Sequence, residues 1–161
     1  MRKVIIFGNS GSGKSTYAKK LQSDGLALLS LDTIAWDINP EPVRKPINES
    51  ENLLLNFING KISWVIEGCY SDILAIAAEH ATEAIFMNLD VKLCIQNAKR
   101  RPWEPHKYES KEAQDDNLEM LINWISQYPS RADTFSKLAH EKLYVNFKGK
   151  KQMFTSNVAN T

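Results

Sequence analysis

Residues 4–16 read VIIFGNSGSGKST, an apolar run that ends in a loop made largely of glycine and serine. No other stretch limits the fold as strongly. Val4–Phe7 is continuously apolar and rich in β-branched and aromatic residues, as suits a strand buried on both faces. Ser15–Leu21 then reads as a helix. A strand, a tight loop and a helix within about twenty residues open a βαβ unit, which implies a parallel sheet covered by helices. Inside the loop, GNSGSGKS fits the spacing G-x-x-x-x-G-K-[ST]. Gly8, Gly11 and Gly13 let the backbone turn so that successive N–H groups point inward. The helix that follows adds about half a positive charge at its N-terminus. Gly8, Asn9, Ser10, Gly11, Ser12, Gly13, Lys14, Ser15 and Thr16 are therefore candidate phosphate-binding residues. In such a loop Lys14 reaches the β- and γ-phosphates, and the Ser15 hydroxyl ligates Mg²⁺.

The rest of the chain continues the alternation. Strands are expected at Leu26–Leu31, Ser63–Ile66, Ala84–Leu89 and Gln152–Thr155. Helices are expected at Lys14–Ser23, Ser50–Asn59 and Ser71–Ala81. Two more follow on the faces carrying Val91, Cys94, Ile95 and Ala98, and Leu118, Leu121, Ile122 and Ile125. A last helix is expected from Pro129 to about Phe147, with Phe135, Leu138 and Ala139 inward and Gly149 as its cap. Within it, LYVNF could instead form a strand. The expectation is one α/β domain over residues 1–161, with about five mostly parallel strands and helices on both faces. Two segments interrupt the pattern: 33–60, whose first part, 33–46, holds three prolines and is expected to be a loop, and 100–112, which contains the expected loop PWEPHKYESKE.

Composition narrows the partners. The 161 residues are 24% charged with a net charge of +1, which gives no general electrostatic case for nucleic acid or membrane binding. No apolar run approaches the length of a membrane span, and no signal-peptide pattern precedes the first strand. Cys69 and Cys94 are far apart in apolar sequence, which points to reduced thiols and a cytoplasmic setting. His106 and His140 lack Cys or His partners at zinc spacing, so a zinc site is rejected; His106 is expected to hydrogen-bond within its own segment.

In parallel sheets of this kind, ligands bind beyond the carboxyl ends of the strands. Glu67 follows SWVI and is expected to hold Mg²⁺ directly or through water. Asp32 follows LLSL. It could accept a proton from a phosphoryl acceptor or support the metal, and it could equally cap a turn. Arg100 and Arg101 end a helix beside a proline-bounded segment. There they could neutralise a transferring phosphoryl group or stack on a base, or simply favour the helix C-terminus. Arg131 is a second candidate clamp, the alternative being a surface pair with Asp133. Arg44 and Trp36 lie where an acceptor would bind. Arg44 could hold an anion or remain solvated; Trp36, like Trp103, could stack on a ring or cover the core.

Together these residues resemble the small P-loop kinases, the group containing adenylate, shikimate and gluconate kinases. GNSGSGKST matches their phosphate loop, WVIEGCY resembles the strand-end acid-glycine motif of the nucleoside monophosphate kinases, and KRRPW resembles the start of their lid. The chain looks most like an uncharacterised subgroup with Asp-x-x-x-Trp after strand two (Asp32 to Trp36), the lid sequence RPWEPHKY, and Tyr-x-x-Arg (Tyr128 to Arg131). Cys69-Tyr70-Ser71 stands where adenylate kinases have Phe-Pro-Arg. Asp32-Thr33-Ile34 stands where shikimate kinases have Asp-x-Asp. The resemblance implies a P-loop fold, bound ATP and Mg²⁺, a mobile lid at 100–112, and a purine held by the Ser156-Asn157 turn and the lid. It implies transfer of the γ-phosphate to a small molecule; the alternative is a nucleotide-dependent switch or binding module. A GTPase is disfavoured because no Asn-Lys-x-Asp motif is present.

Overall fold

The computed structural model describes residues 1–39 and 41–158. The elements run β1 Lys3–Gly8, α1 Lys14–Ser23, β2 Ala27–Ser30, a short 3₁₀ turn Leu31–Thr33, β3 Trp36–Asp37, β4 Val43–Arg44, α2 Ile47–Ile58, β5 Trp64–Gly68, α3 Ser71–Ala78, β6 Glu83–Met87, α4 Val91–Lys99, α5 Lys111–Ser126, α6 Lys137–Asn146 and β7 Lys150–Phe154. Five strands form one sheet in the order β2-β5-β1-β6-β7. All four neighbouring pairs are parallel. β3 and β4 form a separate antiparallel pair. The α/β class with helices on both faces is the one the alternation predicts.

β1 is central, and Val4 to Phe7 are completely buried. The period of two divides them between two cores. Ile5 and Phe7 face Leu54 of α2, Ile73 and Leu74 of α3, and the half-buried Leu143 and Tyr144 of α6. Val4 and Ile6 face Ala18 and Leu21 of α1, Cys94 and Ala98 of α4, and Ile125 of α5. A fully buried Ile or Phe stabilises the fold by about 1.5–3 kcal/mol relative to exposure. The continuous apolar run of β1 therefore holds both helical layers to one strand, and the phosphate loop leaves from the end of that strand.

The departures from the sequence expectations have local causes. α2 begins at Ile47 rather than Ser50. Ser50 is buried instead, donating from Oγ to the Ile34 carbonyl at 2.9 Å, which ties α2 to the turn after β2. The segment 33–46 is not all loop, because Trp36 pairs with Arg44 across the β3–β4 hairpin. α6 begins at Lys137, not Pro129. The Asp133 carboxylate accepts the Phe135 N–H at 2.9 Å, and Ser136 accepts the Ala139 N–H at 3.0 Å as N-cap; these side chains hold the backbone in a turn until residue 136. On this helix His140 and not Leu138 is buried, and Leu138 is exposed. α6 ends before Phe147, Gly149 leads into β7 rather than capping a helix, and LYVN is helical. Among the described residues, no helix is long and apolar enough to cross a membrane.

Candidate active site

The phosphate loop leaves β1 and returns into α1 through two left-handed glycines, Gly11 at φ 78° and Gly13 at φ 87°. At Gly11 the constraint is also steric: a Cβ there would lie 2.3 Å from the Cys94 carbonyl oxygen of α4. Gly13 caps α1 without any side-chain hydrogen bond to the first turn. The leading N–H groups of α1 are thus left for an anion.

Three side chains brace this loop. Asn9, buried, donates from Nδ2 to the Ile125 carbonyl at 3.2 Å and accepts the Ser10 N–H at 2.8 Å. Asn97 of α4 donates to the Gly11 carbonyl at 2.8 Å and to Oδ1 of Asn157 at 2.7 Å. Lys14 donates from Nζ to the Asn9 carbonyl at 3.1 Å, which curls its ammonium over the loop. The buried Ser12 hydroxyl has no partner among the described residues.

Two cavities flank the loop. One, of ≈ 270 Å³, is bounded by Ser10, Gly11, Gly13, Lys14, Ser15 and Thr16, and across from them by Asp32, Glu67, Gly68, Cys69, Arg101 and Glu104. The other, of ≈ 410 Å³, reaches from Gly11, Ser12, Gly13 and Thr16 to Asn97, Arg100, Arg101 and Asn157. The topology accounts for this grouping. β2 and β5 pair in register, with Ser30 opposite Glu67, so Asp32 and Glu67 emerge side by side at the carboxyl edge of the sheet. Gly8 lies beneath the loop, where a Cβ would press on the Met87 carbonyl at 2.5 Å. Ser156 lies in the C-terminal turn and lines neither cavity.

Glu67 is buried at the cavity floor, only 4% exposed. A buried carboxylate calls for a cation. With the Ser15 hydroxyl and Asp32 it offers oxygen donors only, the set that suits Mg²⁺. Among the described residues no cluster of three or more His, Cys, Asp or Glu could hold a metal alone. One or two carboxylates completed by phosphate oxygens is the usual manner of Mg²⁺ binding, and the residues fit it.

Asp32 is held by two aromatic side chains. Trp36 donates from Nε1 to the Tyr70 hydroxyl at 2.8 Å, and Tyr70 donates its one proton to Asp32 Oδ1 at 2.5 Å. Burial, reinforced by the Asp32 charge, pushes the Tyr70 phenol far upward, so it remains a donor. Arg44 stands over the Tyr70 ring at 5.0 Å and pairs with Asp72 at 3.0 Å. Trp36 and Arg44 thus lie behind Asp32 and line neither cavity. Arg131 lines neither cavity: its guanidinium lies 3.7 Å from the Trp124 ring centroid and donates to the Trp124 carbonyl. Burial lowers its pKa, partly offset by Asp133. The pair with Asp133 exists at 3.9 Å, but the ring stacking is the closer engagement.

The RPWEPHKY segment is organised around one carboxylate. Glu104 faces Arg101 at 3.3 Å, His106 at 3.5 Å and Lys107 at 3.4 Å, all of them bordering the smaller cavity with Lys19. Its backbone N–H donates to Gln114 Oε1 at 2.8 Å, so the segment after Pro102 is tied to α5. Arg101 and Lys107 lie at i,i+3 on either side of Glu104. His140 is buried beneath the site, with Nε2 2.8 Å from the Cys69 carbonyl and Nδ1 2.7 Å from the Tyr128 hydroxyl. A carbonyl can only accept, so Nε2 carries the proton and Tyr128 donates to Nδ1. Burial drives the His140 pKa down to about 4 against the smaller raising effect of the Cys69 carbonyl, with Lys14 and Arg131 adding to the drop. Cys69 borders the cavity, but burial pushes its thiol up to about 11, which leaves it protonated and unreactive at neutral pH.

No protein-family model matches the sequence. No curated protein matches it either. In structure, the chain is similar to the Thermus thermophilus protein TT1252, with a TM-score of 0.55, 14% identity, and coverage of 95% of this chain and 88% of that one. It is also similar to the deoxyadenosine kinase of M. mycoides with bound dATP, with a TM-score of 0.51, 11% identity, and coverage of 96% and 91%. Identities this low speak for the fold alone, and what they establish is that this chain shares the α/β fold of these proteins, a parallel five-stranded sheet covered by helices.

Proposed function

We propose that the protein is an ATP-dependent phosphotransferase that moves the γ-phosphoryl group to a small-molecule acceptor. The observation that carries this reading is the meeting of the phosphate loop, Asp32, Glu67 and Arg101 around one cavity. A switch protein needs the loop and a metal carboxylate, but not a second carboxylate and a lid arginine facing the same space.

In this reading the N–H groups of residues 10–16 and the Lys14 ammonium bind the β- and γ-phosphates. Ser15 and Glu67 would hold Mg²⁺, which when bound neutralises charge on the phosphate oxygens. Asp32 takes the proton of the acceptor hydroxyl as that oxygen bonds to the γ-phosphorus, and the bond to the ADP oxygen breaks. Tyr70 keeps Asp32 Oδ1 engaged, so Oδ2 is the oxygen that receives the proton. Arg101 meets charge on the phosphoryl group in transfer, and Arg100 covers the base end in the larger cavity. Segment 33–60 forms the acceptor side, braced by Trp36 and Arg44 behind Tyr70. Segment 100–112 closes from above and excludes water. Arg131 supports α5 and the turn before α6 and takes no part in the chemistry.

The test is Lys14→Ala alongside wild type, with ATP binding and ATP consumption measured in the presence of pools of nucleosides, nucleotides and hydroxy acids. The expected result is binding and acceptor-stimulated consumption in wild type and loss of both in the variant. Equal ATP affinity and rate in the two proteins would refute the loop assignment. Binding without stimulation by any pool would favour a nucleotide-binding module.

A further inference from the structure

The hydrogen bonds of Asn97 carry information about the base. Its Nδ2 contacts the Gly11 carbonyl and Asn157 Oδ1. The first partner is a backbone carbonyl, which can only accept. Asn97 must therefore turn its amino group toward the loop, and both of its N–H bonds are then used. Asn157, in turn, must present its oxygen to Asn97. Among the described residues, the polar groups left over are an acceptor, Asn97 Oδ1, and a donor, Asn157 Nδ2. Both residues border the ≈ 410 Å³ cavity, together with Arg100 and Val158.

We infer that Asn97 and Asn157 form a base-selecting pair that accepts adenine and rejects 6-oxopurines. This rests on the nucleotide-binding reading above. Adenine carries an amino donor beside a ring-nitrogen acceptor, the complement of what the pair displays. Hypoxanthine and guanine carry an oxygen at the amino position, which would oppose Asn97 Oδ1, acceptor against acceptor. Asn97 does not escape by flipping its amide, because its oxygen would then face the Gly11 carbonyl and the brace on the phosphate loop would be lost. Selectivity for the base and the shape of the phosphate loop are thus joined in one side chain. Neither follows from the sequence motif, since Asn97 lies 86 residues from Gly11 and 60 from Asn157. One mispaired polar group of this kind corresponds to about 10- to 100-fold in affinity.

The experiment is equilibrium binding of ATP, inosine triphosphate and inorganic tripolyphosphate to the wild-type chain and to Asn157→Asp. ATP and inosine triphosphate differ at the 6-position and the adjoining N1 proton, and tripolyphosphate reports the phosphate site without a base. Asn157→Asp retains an oxygen for Asn97 and exchanges the free donor for an acceptor. In wild type, ATP should bind at least about tenfold more tightly than inosine triphosphate. In Asn157→Asp that ratio should collapse toward unity, with any loss from added negative charge appearing equally for tripolyphosphate. Equal affinities in wild type, or a ratio unchanged by Asn157→Asp, would overturn the inference while leaving the nucleotide reading intact. Failure of all three ligands to bind wild type would overturn both.

Discussion

Replacing His140 with glutamine should flatten the acid limb of the protein's stability profile. His140 is buried among Phe7, Phe86 and Tyr128, and both ring nitrogens are engaged. Burial is the main reason its pKa falls from 6.5 to about 4, with the Lys14 and Arg131 charges adding to it. The sign follows from linkage. Between these two values the unfolded chain binds a proton that the folded chain does not. Stability contributed by the neutral ring is complete above about pH 6.5 and is lost as the pH falls toward 4. The full span from 6.5 to about 4 corresponds to roughly 3 kcal/mol, of which about 2 kcal/mol is already gone at pH 5. A glutamine side chain does not titrate, and its amide can still reach toward the Cys69 carbonyl. Urea denaturation at intervals from pH 4 to pH 8 measures the effect. The quantity to compare is the difference between wild type and His140→Gln at each pH, in which carboxylate contributions common to both proteins cancel. The variant should be less stable than wild type at pH 8, and the gap should narrow by about 3 kcal/mol on acidification to pH 4. Parallel profiles across that range would refute the reasoning, because they would mean that His140 charges as readily in the folded protein as in the unfolded one.

Two further substitutions address the site. Tyr70→Phe removes the proton donated to Asp32 while keeping the ring on which Arg44 rests; it should lower phosphoryl transfer about tenfold or more through kcat and leave ATP affinity unchanged, and an equal loss of ATP binding would show that Tyr70 shapes the nucleotide site instead. Arg101→Ala should slow transfer by up to about 10³-fold if Arg101 meets the transferring group. Hydrogen exchange of residues 100–112 should also slow when an ATP analogue binds wild type; a change in turnover below about tenfold, with exchange indifferent to nucleotide, would exclude segment 100–112 as a catalytic lid.

What the sequence determined by itself is mostly local. The phosphate loop is legible because its glycines, lysine and serine act through neighbouring backbone, at spacings that local geometry dictates. The order of strands and helices is legible because apolar periodicity follows from the twofold and 3.6-fold repeats of the elements. Asp32 and Glu67 could be marked as strand-end acids for the same reason. Partner choice was not local, and tertiary structure decided it. Arg131 reads as a phosphate clamp in YPSRAD, yet the Trp124 ring and carbonyl engage it, because α5 and the turn before α6 fold against each other. Trp36 and Arg44 read as acceptor contacts, but Tyr70, just beyond the carboxyl end of β5, stands between them and Asp32 and takes their hydrogen bond and stacking. Asn97 and His140 carry no motif at all. Each acquires its role from a backbone carbonyl, Gly11 or Cys69, that only the assembled sheet and helices bring within reach. A side chain's type limits what it can donate or accept, but the geometry of long-range packing selects which group it meets.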